Sequence, residues 1–318
     1  MSLTVLVPVY NESGTILQVT DALVKVPGIT EIVVIDDGST DASADTVRQA
    51  LSKGRIHLPP KTQIKIVSHG QNQGKGSAIR TGLTHATGEI VAIQDADLEY
   101  NPEELPFLIE PILKGDADVV FGSRFLKKNP TSHWRFFLGN KVITKIINLF
   151  SGGHFTDAYT CYKIMPRETM KALELRSKGF ELEAEISMKV VLGGLKTLER
   201  PISYAPRSVK DGKKIRFKDA VKGAWVALSL RWAHEALRSR ALLVMGGLFI
   251  LAGLVFNEWT AAALFSPDGI ISTHQRAVVC ERCRCSKIQS PTHLWIFEQR
   301  HRFWGESWVT YLSRHPSP

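Results

Sequence analysis

The stretch Ile90-Val91-Ala92-Ile93-Gln94-Asp95-Ala96-Asp97-Leu98-Glu99 decides how the chain is read, because an apolar strand runs there into a cluster of acids. Side chains alternate faces along a strand, so Asp95 and Asp97 are expected on one side, and Glu99 can join them where the chain turns. Clustered carboxylates repel one another unless a hard cation or a phosphate-bound metal neutralises them. Oxygen donors of this kind suit Mg²⁺ or Mn²⁺. Taken alone, Asp-x-Asp also occurs in solvated loops, so the surrounding sequence has to give it meaning.

Working outward, apolar runs at residues 3–9, 31–36, 64–68, 90–94 and 119–121 read as strands, and segments with helical spacing separate them. Residues 13–26 carry Ile16, Val19, Ala22, Leu23 and Val26 on one face, Thr40 or Asp41 can cap a helix reaching about residue 51, and residues 75–85 form another. Asn101-Pro102-Glu103-Glu104 looks like a helix start, with Asn at the cap, Pro first and Glu104 placed to reach back. Strands apolar on both faces, alternating with helices, predict an α/β fold: a Rossmann-like, mostly parallel sheet with helices on both faces. Ligands bind such sheets beyond the carboxyl ends of the strands. Four of those ends are polar: Pro8 to Glu12, Asp36-Asp37-Gly38, Asp95-Ala96-Asp97 and Gly122-Ser123-Arg124. Each alone could cap a turn, as Asn11 and Asp37 can, but four together make a site.

The loop Gly70-Gln71-Asn72-Gln73-Gly74-Lys75-Gly76 follows a strand and opens a helix, so its amides can cradle phosphate. As a P-loop it is one residue short between Gly70 and Gly74, and Gly76 replaces the metal-holding Ser or Thr. As a dinucleotide fingerprint it has Ile79 where the third glycine belongs, which makes a dehydrogenase a poor competitor. The 318-residue chain has a formal net charge of +9, which favours anionic partners such as nucleotides, phospholipid surfaces or nucleic acid without choosing among them. Three of its 4 Cys (Cys280, Cys283, Cys285) share one short stretch, so no disulfide framework is visible and a reducing compartment is expected. The N-terminus enters a strand directly and shows no targeting signal.

As an ordered set, Val7-Pro8-Val9-Tyr10-Asn11-Glu12, Ile35 to Asp41, Gly74-Lys75-Gly76, Asp95-Ala96-Asp97 and Gly122-Ser123-Arg124 resemble the family 2 glycosyltransferases of GT-A fold. Further on, Phe155 to Lys163, Gly179 to Glu185, and Ile202-Ser203-Tyr204 with Arg207 and Gly212-Lys213-Lys214-Ile215 are similar to the polyprenyl-phosphate sugar synthases within it. The resemblance covers residues 3–232. It implies transfer of one hexose, with inversion, from a nucleotide sugar of the GDP-mannose or UDP-glucose type to a polyprenyl phosphate. By matching position it implies nucleotide contacts from Pro8, Tyr10, Asn11, Glu12, Asp37, Gly38, Lys75 and Asp95, and a Mg²⁺ or Mn²⁺ ion held by Asp95 and Asp97. Glu99 is a further candidate ligand, at a position where these synthases often carry Gln. Asp157, Asp97 and Arg124 are the implied catalytic residues, and Arg124, Arg207, Lys213 and Lys214 the candidates for donor and acceptor phosphates. Asp157 matches a position often proposed as base. A phosphate monoester with a second pKa near ~6 is already mostly dianionic at neutral pH, so Asp157 is expected mainly to orient the acceptor or to remove a residual proton.

The domain reading is a catalytic domain over residues 1–215, an amphipathic interfacial helix over 216–240, a transmembrane helix over 241–265, and an atypical tail over 266–318. Trp225, Leu228 and Trp232 among Lys218, Lys222, Arg231 and Arg238 suit an anionic membrane surface. Arg231, Arg238 and Arg240 would keep the catalytic domain cytoplasmic. The tail reads as truncated or frame-shifted; Cys280, Cys283 and Cys285 with His274 and His293 have irregular spacing for zinc. Two alternatives compete: a processive polysaccharide synthase, whose Gln-x-x-Arg-Trp grip is incomplete because Leu228 precedes Arg231-Trp232, and a nonenzymatic basic membrane or nucleic-acid binder, which gives no reason for the acidic strand ends. No nucleic-acid partner is expected, and the oligomeric state is open.

Overall fold

The computed structural model describes residues 2–130, 134–207 and 217–238, and the structural statements made here concern these residues. Parallel strands β1 (Leu3–Val9), β2 (Ile29–Asp36), β3 (Gln63–Ser68) and β4 (Ile90–Ile93) are joined by helices α1 (Ile16–Lys25), α2 (Ser43–Ser52) and α3 (Lys75–His85). β1 sits between β2 and β4, and every residue of β4 is buried. Val, Ile and Leu on both faces are what a sheet covered on both sides requires. A short 3-10 turn and α4 (Leu105–Leu113) lead to β5 (Val119–Ser123).

Two strands escape the pattern reading. β6 (Lys163–Pro166) runs antiparallel between β4 and β5, and β7 (Thr197–Pro201) closes the sheet beside β5, in the order β3-β2-β1-β4-β6-β5-β7. β6 is four residues long with Lys163 at its start, and β7 is a half-exposed edge strand, so neither presents a long apolar run. Helices α5 (Trp134–Ser151), α6 (Arg167–Ala172), α7 (Leu182–Leu192) and α8 (Phe217–Arg238) complete the described chain.

The structure corrects two expectations. β4 ends at Ile93, so Asp95 and Asp97 lie in a turn beyond it, and strand alternation is not what brings them to one cleft. That turn is fixed by Leu98 in the left-handed region (φ 61°), by the Thr15 hydroxyl donating to the Ala96 carbonyl (2.6 Å), and by Tyr162 holding Gln94 (2.6 Å). Asn101 does cap, accepting from the Glu103 amide, but the Glu104 carboxylate accepts from the Ser203 amide and makes no reciprocal capping box. α8 buries Asp219 and Ala227 and exposes Val221 and Trp225. No helix among the described residues is long and apolar enough to cross a membrane, and residues 241–265 and the tail lie outside them.

Candidate active site

The carboxyl ends of β1, β2, β4 and β5 open into one cleft of about 610 Å³. Pro8, Tyr10, Glu12, Asp37, Lys75, Asp95, Asp97, Glu99, Arg124 and Arg207 all line it. The cleft is therefore assembled from residues nearly 200 positions apart, with Arg207 closing on Glu12 through two bonds (2.9 and 3.0 Å). Asn11, Gly38 and Asp157 support the site without lining it, and Lys213 and Lys214 lie outside the described residues.

Asp37 pins the glycine loop. Its carboxylate accepts from the Gln73 amide (2.9 Å), the Gly74 amide (2.7 Å) and His69 Nδ1 (2.7 Å), so those two amides are spent inside the protein and do not form a free phosphate cradle. Asn11, itself at φ 51°, accepts from the Thr40 amide and ties the first polar turn to the second. A Cβ on Gly76 would stand 2.2 Å from the Ser177 carbonyl oxygen, and one on Gly74 2.4 Å from that of Lys178. The two glycines thus let the start of α3 press against residues 177–179, which brings Lys75 into the cleft floor.

Lys75 Nζ lies 2.8 Å from Asp95 and 2.8 Å from Glu183. Glu183 in turn pairs with the fully buried Lys163, so an alternating chain of charges runs from the cleft into the core. Burial would lower the Lys75 ammonium, but Asp95 and Glu183 outweigh it and hold the group well above its ordinary range. Burial likewise pushes Glu183 up, and Lys163 with Lys75 reverses that, leaving it below the ordinary carboxylate value.

Asp97 differs. Burial, with repulsion from Asp95 and Glu99, pushes its carboxyl up to about 7 even though Arg207 stands 3.3 Å away and opposes the shift. Glu99 is occupied by the protein: its carboxylate accepts from the Tyr204 hydroxyl (2.7 Å) and the Arg207 amide (2.7 Å), fastening the 204–207 segment over the cleft. Asp95 and Asp97 are more exposed than Glu12, Asp37, Glu99 or Glu183, although Asp97 Oδ1 accepts from the Glu99 amide (3.1 Å) and its Oδ2 meets Arg207. An excess of negative charge strong enough to hold a proton near neutrality, on hard oxygen donors, fits a divalent cation. Among the described residues no group of three or more His, Cys, Asp or Glu is placed to hold a metal ion, and the expected trio of Asp95, Asp97 and Glu99 is no exception.

On the opposite wall Asp157, fully buried, accepts from the Arg124 amide (3.1 Å), Nε (2.7 Å) and Nη2 (2.8 Å). Glu199 on β7 holds the Thr156 and Asp157 amides (2.7 and 2.9 Å) and so sets the turn. Arg124 also donates to the Tyr159 carbonyl and stacks 5.2 Å from the Tyr204 ring. Its Nη1 makes no hydrogen bond among the described residues and is the donor it can offer to the cleft. Motif reading assigned no role to Tyr159, Glu183, Glu199 or Asp219. For Glu183 a signal existed: a carboxylate in a helix buried from Leu182 to Val190 must be paired.

The mostly parallel α/β fold is shared by solved structures of low sequence identity. Glucosyl-3-phosphoglycerate synthase from Mycobacterium tuberculosis, in complex with Mn²⁺, UDP and phosphoglyceric acid, matches with a TM-score of 0.55 at 20% identity, over 72% of this chain and 78% of that one. The model of glycosyl transferase family 2 matches residues 4–173, more than half of the chain, and the chain belongs to that family. It is a glycosyltransferase, which sets aside the nonenzymatic binder. The low-salt glycan biosynthesis hexosyltransferase Agl6 of Haloferax volcanii is 30% identical over 214 residues, 65% of this chain, which spans 48% of Agl6. The dolichol-phosphate mannosyltransferase of Pyrococcus furiosus is 27% identical over 273 residues, 81% of this chain and 71% of that protein.

Proposed function

We propose that the protein transfers a single hexose from a nucleotide sugar to a polyprenyl phosphate at a membrane surface. The observation that carries this reading is the convergence of Asp95 and Asp97 with Lys75, Arg124 and Arg207 in one cleft at the carboxyl edge of the sheet. Pro8, Tyr10, Glu12 and Asp37 form the part of that cleft suited to base and ribose. Asp95 and Asp97 would hold Mg²⁺ or Mn²⁺; when bound, such an ion neutralises a diphosphate and makes it a better leaving group. Arg207, already preorganised beside Asp97, meets charge developing on the departing nucleoside diphosphate.

Arg124 offers Nη1 to the acceptor phosphate. Both Asp157 oxygens are committed to Arg124, so Asp157 positions that guanidinium and the acceptor oxygen attacks without help from a protein base. Burial opposes the charge on Arg124, yet Asp157 outweighs it and keeps the group protonated at any working pH.

A lipid acceptor requires a membrane-facing surface, and two helices supply exposed aromatic side chains. α5 exposes Trp134, Phe137, Leu138 and Val142, with Lys141 among them, and α8 exposes Trp225. Tryptophan and lysine together suit the headgroup region. The test is a transfer assay with the full chain in membranes or detergent, short polyprenyl phosphates, a panel of GDP- and UDP-sugars, and Mg²⁺ or Mn²⁺. Lipid-linked label that depends on the metal supports the reading. Label on growing glycan chains, or on water alone, would overturn it.

A further inference from the structure

The turn that leads into α7 sets an aromatic side chain at the cleft. Phe180 is half-buried and lines the cleft, and Lys75 Nζ stands 6.0 Å from its ring centroid. The turn does not need that ring to hold its shape. The Arg176 and Ser177 amides donate to Glu185 (2.9 and 2.7 Å), the Lys178 carbonyl accepts from the Ser77 amide (3.2 Å), and the Gly179 amide donates to Glu181 (2.9 Å). Backbone bonds therefore fix where Phe180 sits, and an aromatic residue held in this way leaves little to order when a ligand arrives.

The neighbours select the ligand. Lys75 pairs with Asp95 and Glu183, each at 2.8 Å, so the ring borders a strip of paired charges instead of an apolar wall. An isoprenoid chain laid there would take water from those charges and return no hydrogen bond. A hexose carries both kinds of group that the place requires. One face of the sugar presents C–H groups that pack on the negative face of an aromatic ring, while its hydroxyls donate to carboxylates and accept from an ammonium. Asp95 is also one of the two acids proposed to hold the diphosphate-bound metal, so the sugar on that diphosphate is the part of the donor that comes next to Lys75 and the ring. We infer that Phe180 is a substrate-contacting residue, the platform on which the transferred hexose packs its C–H face. The assignment rests on the functional reading above and narrows it: the donor is selected by an apolar contact with the sugar as well as by contacts with base and phosphates.

The test is calorimetric binding of GDP-mannose, UDP-glucose, GDP and UDP, each with Mg²⁺, to the full-length wild type, Phe180→Leu and Phe180→Tyr, together with the KM of each for a short polyprenyl phosphate. Leucine keeps an apolar side chain and removes the aromatic face, and tyrosine keeps the face. Phe180→Leu is expected to bind the cognate nucleotide sugar about fivefold more weakly than wild type and the nucleoside diphosphate equally well. Phe180→Tyr should restore the nucleotide-sugar affinity. Equal nucleotide-sugar affinity for wild type and Phe180→Leu would overturn the assignment, and so would a loss shared equally by the nucleoside diphosphate. A change confined to the KM for polyprenyl phosphate would overturn it too, since the ring would then serve the lipid. All three results leave the functional reading standing. A wild type that binds none of the four nucleotides would overturn that reading and the assignment with it.

Discussion

Replacing Asp157 by Asn separates the two roles a carboxylate can play here. The side chain is fully buried and receives three bonds from Arg124, so the neutral isostere leaves a buried guanidinium without its counter-charge. Breaking a buried pair from one side costs about 3–5 kcal/mol, and the amide oxygen keeps one acceptor, which favours the lower end of that range. For a domain of this size about 3 kcal/mol corresponds to a fall in melting temperature of about 6–12 °C. The variant should still fold at 25 °C, where domains typically hold about 5–15 kcal/mol. With Arg124 loosened, kcat/KM should drop about 100-fold, the usual effect of misplacing a positioning group. The assay is kcat/KM for transfer from pH 6 to pH 9, with the melting temperature recorded at each pH. A positioning role gives a loss that does not change with pH. Recovery toward wild type as pH rises, at constant melting temperature, would refute it and make Asp157 the proton acceptor.

Three further outcomes follow from the same geometry. Glu183→Gln leaves the buried Lys163 without its counter-charge and Lys75 with Asp95 alone, and should cost about 3–5 kcal/mol in denaturant unfolding; a loss under about 1 kcal/mol would contradict the buried charge chain. Gly76→Ala drives a methyl into the Ser177 carbonyl and should cost about 1–3 kcal/mol, whereas Gly14→Ala, with open space around it, should be neutral by the same unfolding measurement. Asp97, with its carboxyl raised to about 7, holds a proton in the folded state that the unfolded chain releases near pH 4. Its contribution is complete below about pH 4 and is lost as pH rises toward 7. Asp97→Asn should therefore raise the melting temperature of the metal-free protein at pH 8 and leave it nearly unchanged at pH 4; a fall at pH 8 would reverse the sign of the argument.

The first five strands were legible because residues such as Val5 to Val7 and Ile32 to Ile35 are buried on both faces and leave continuous apolar runs. β6 and β7 were not, since their pairing is decided by neighbours that the sequence brings in from far away. The acidic pair was legible for a partly mistaken reason: a turn, fixed by Thr15 and Leu98, does what strand alternation was expected to do. Likewise the glycine loop matters for its close approach to residues 177–179 more than for its amides, which serve Asp37. The 204–207 segment carries little pattern of its own, and its place depends on Glu99, a contact 105 positions long for Tyr204.

The most direct measurement is an anomalous-scattering map of crystals of the protein grown with Mn²⁺ and the nucleoside diphosphate that it binds. A manganese peak touching Asp95 or Asp97 is expected, with Arg207 beside the diphosphate. A nucleotide bound in the cleft with no manganese at either aspartate, or manganese bound elsewhere, would contradict it.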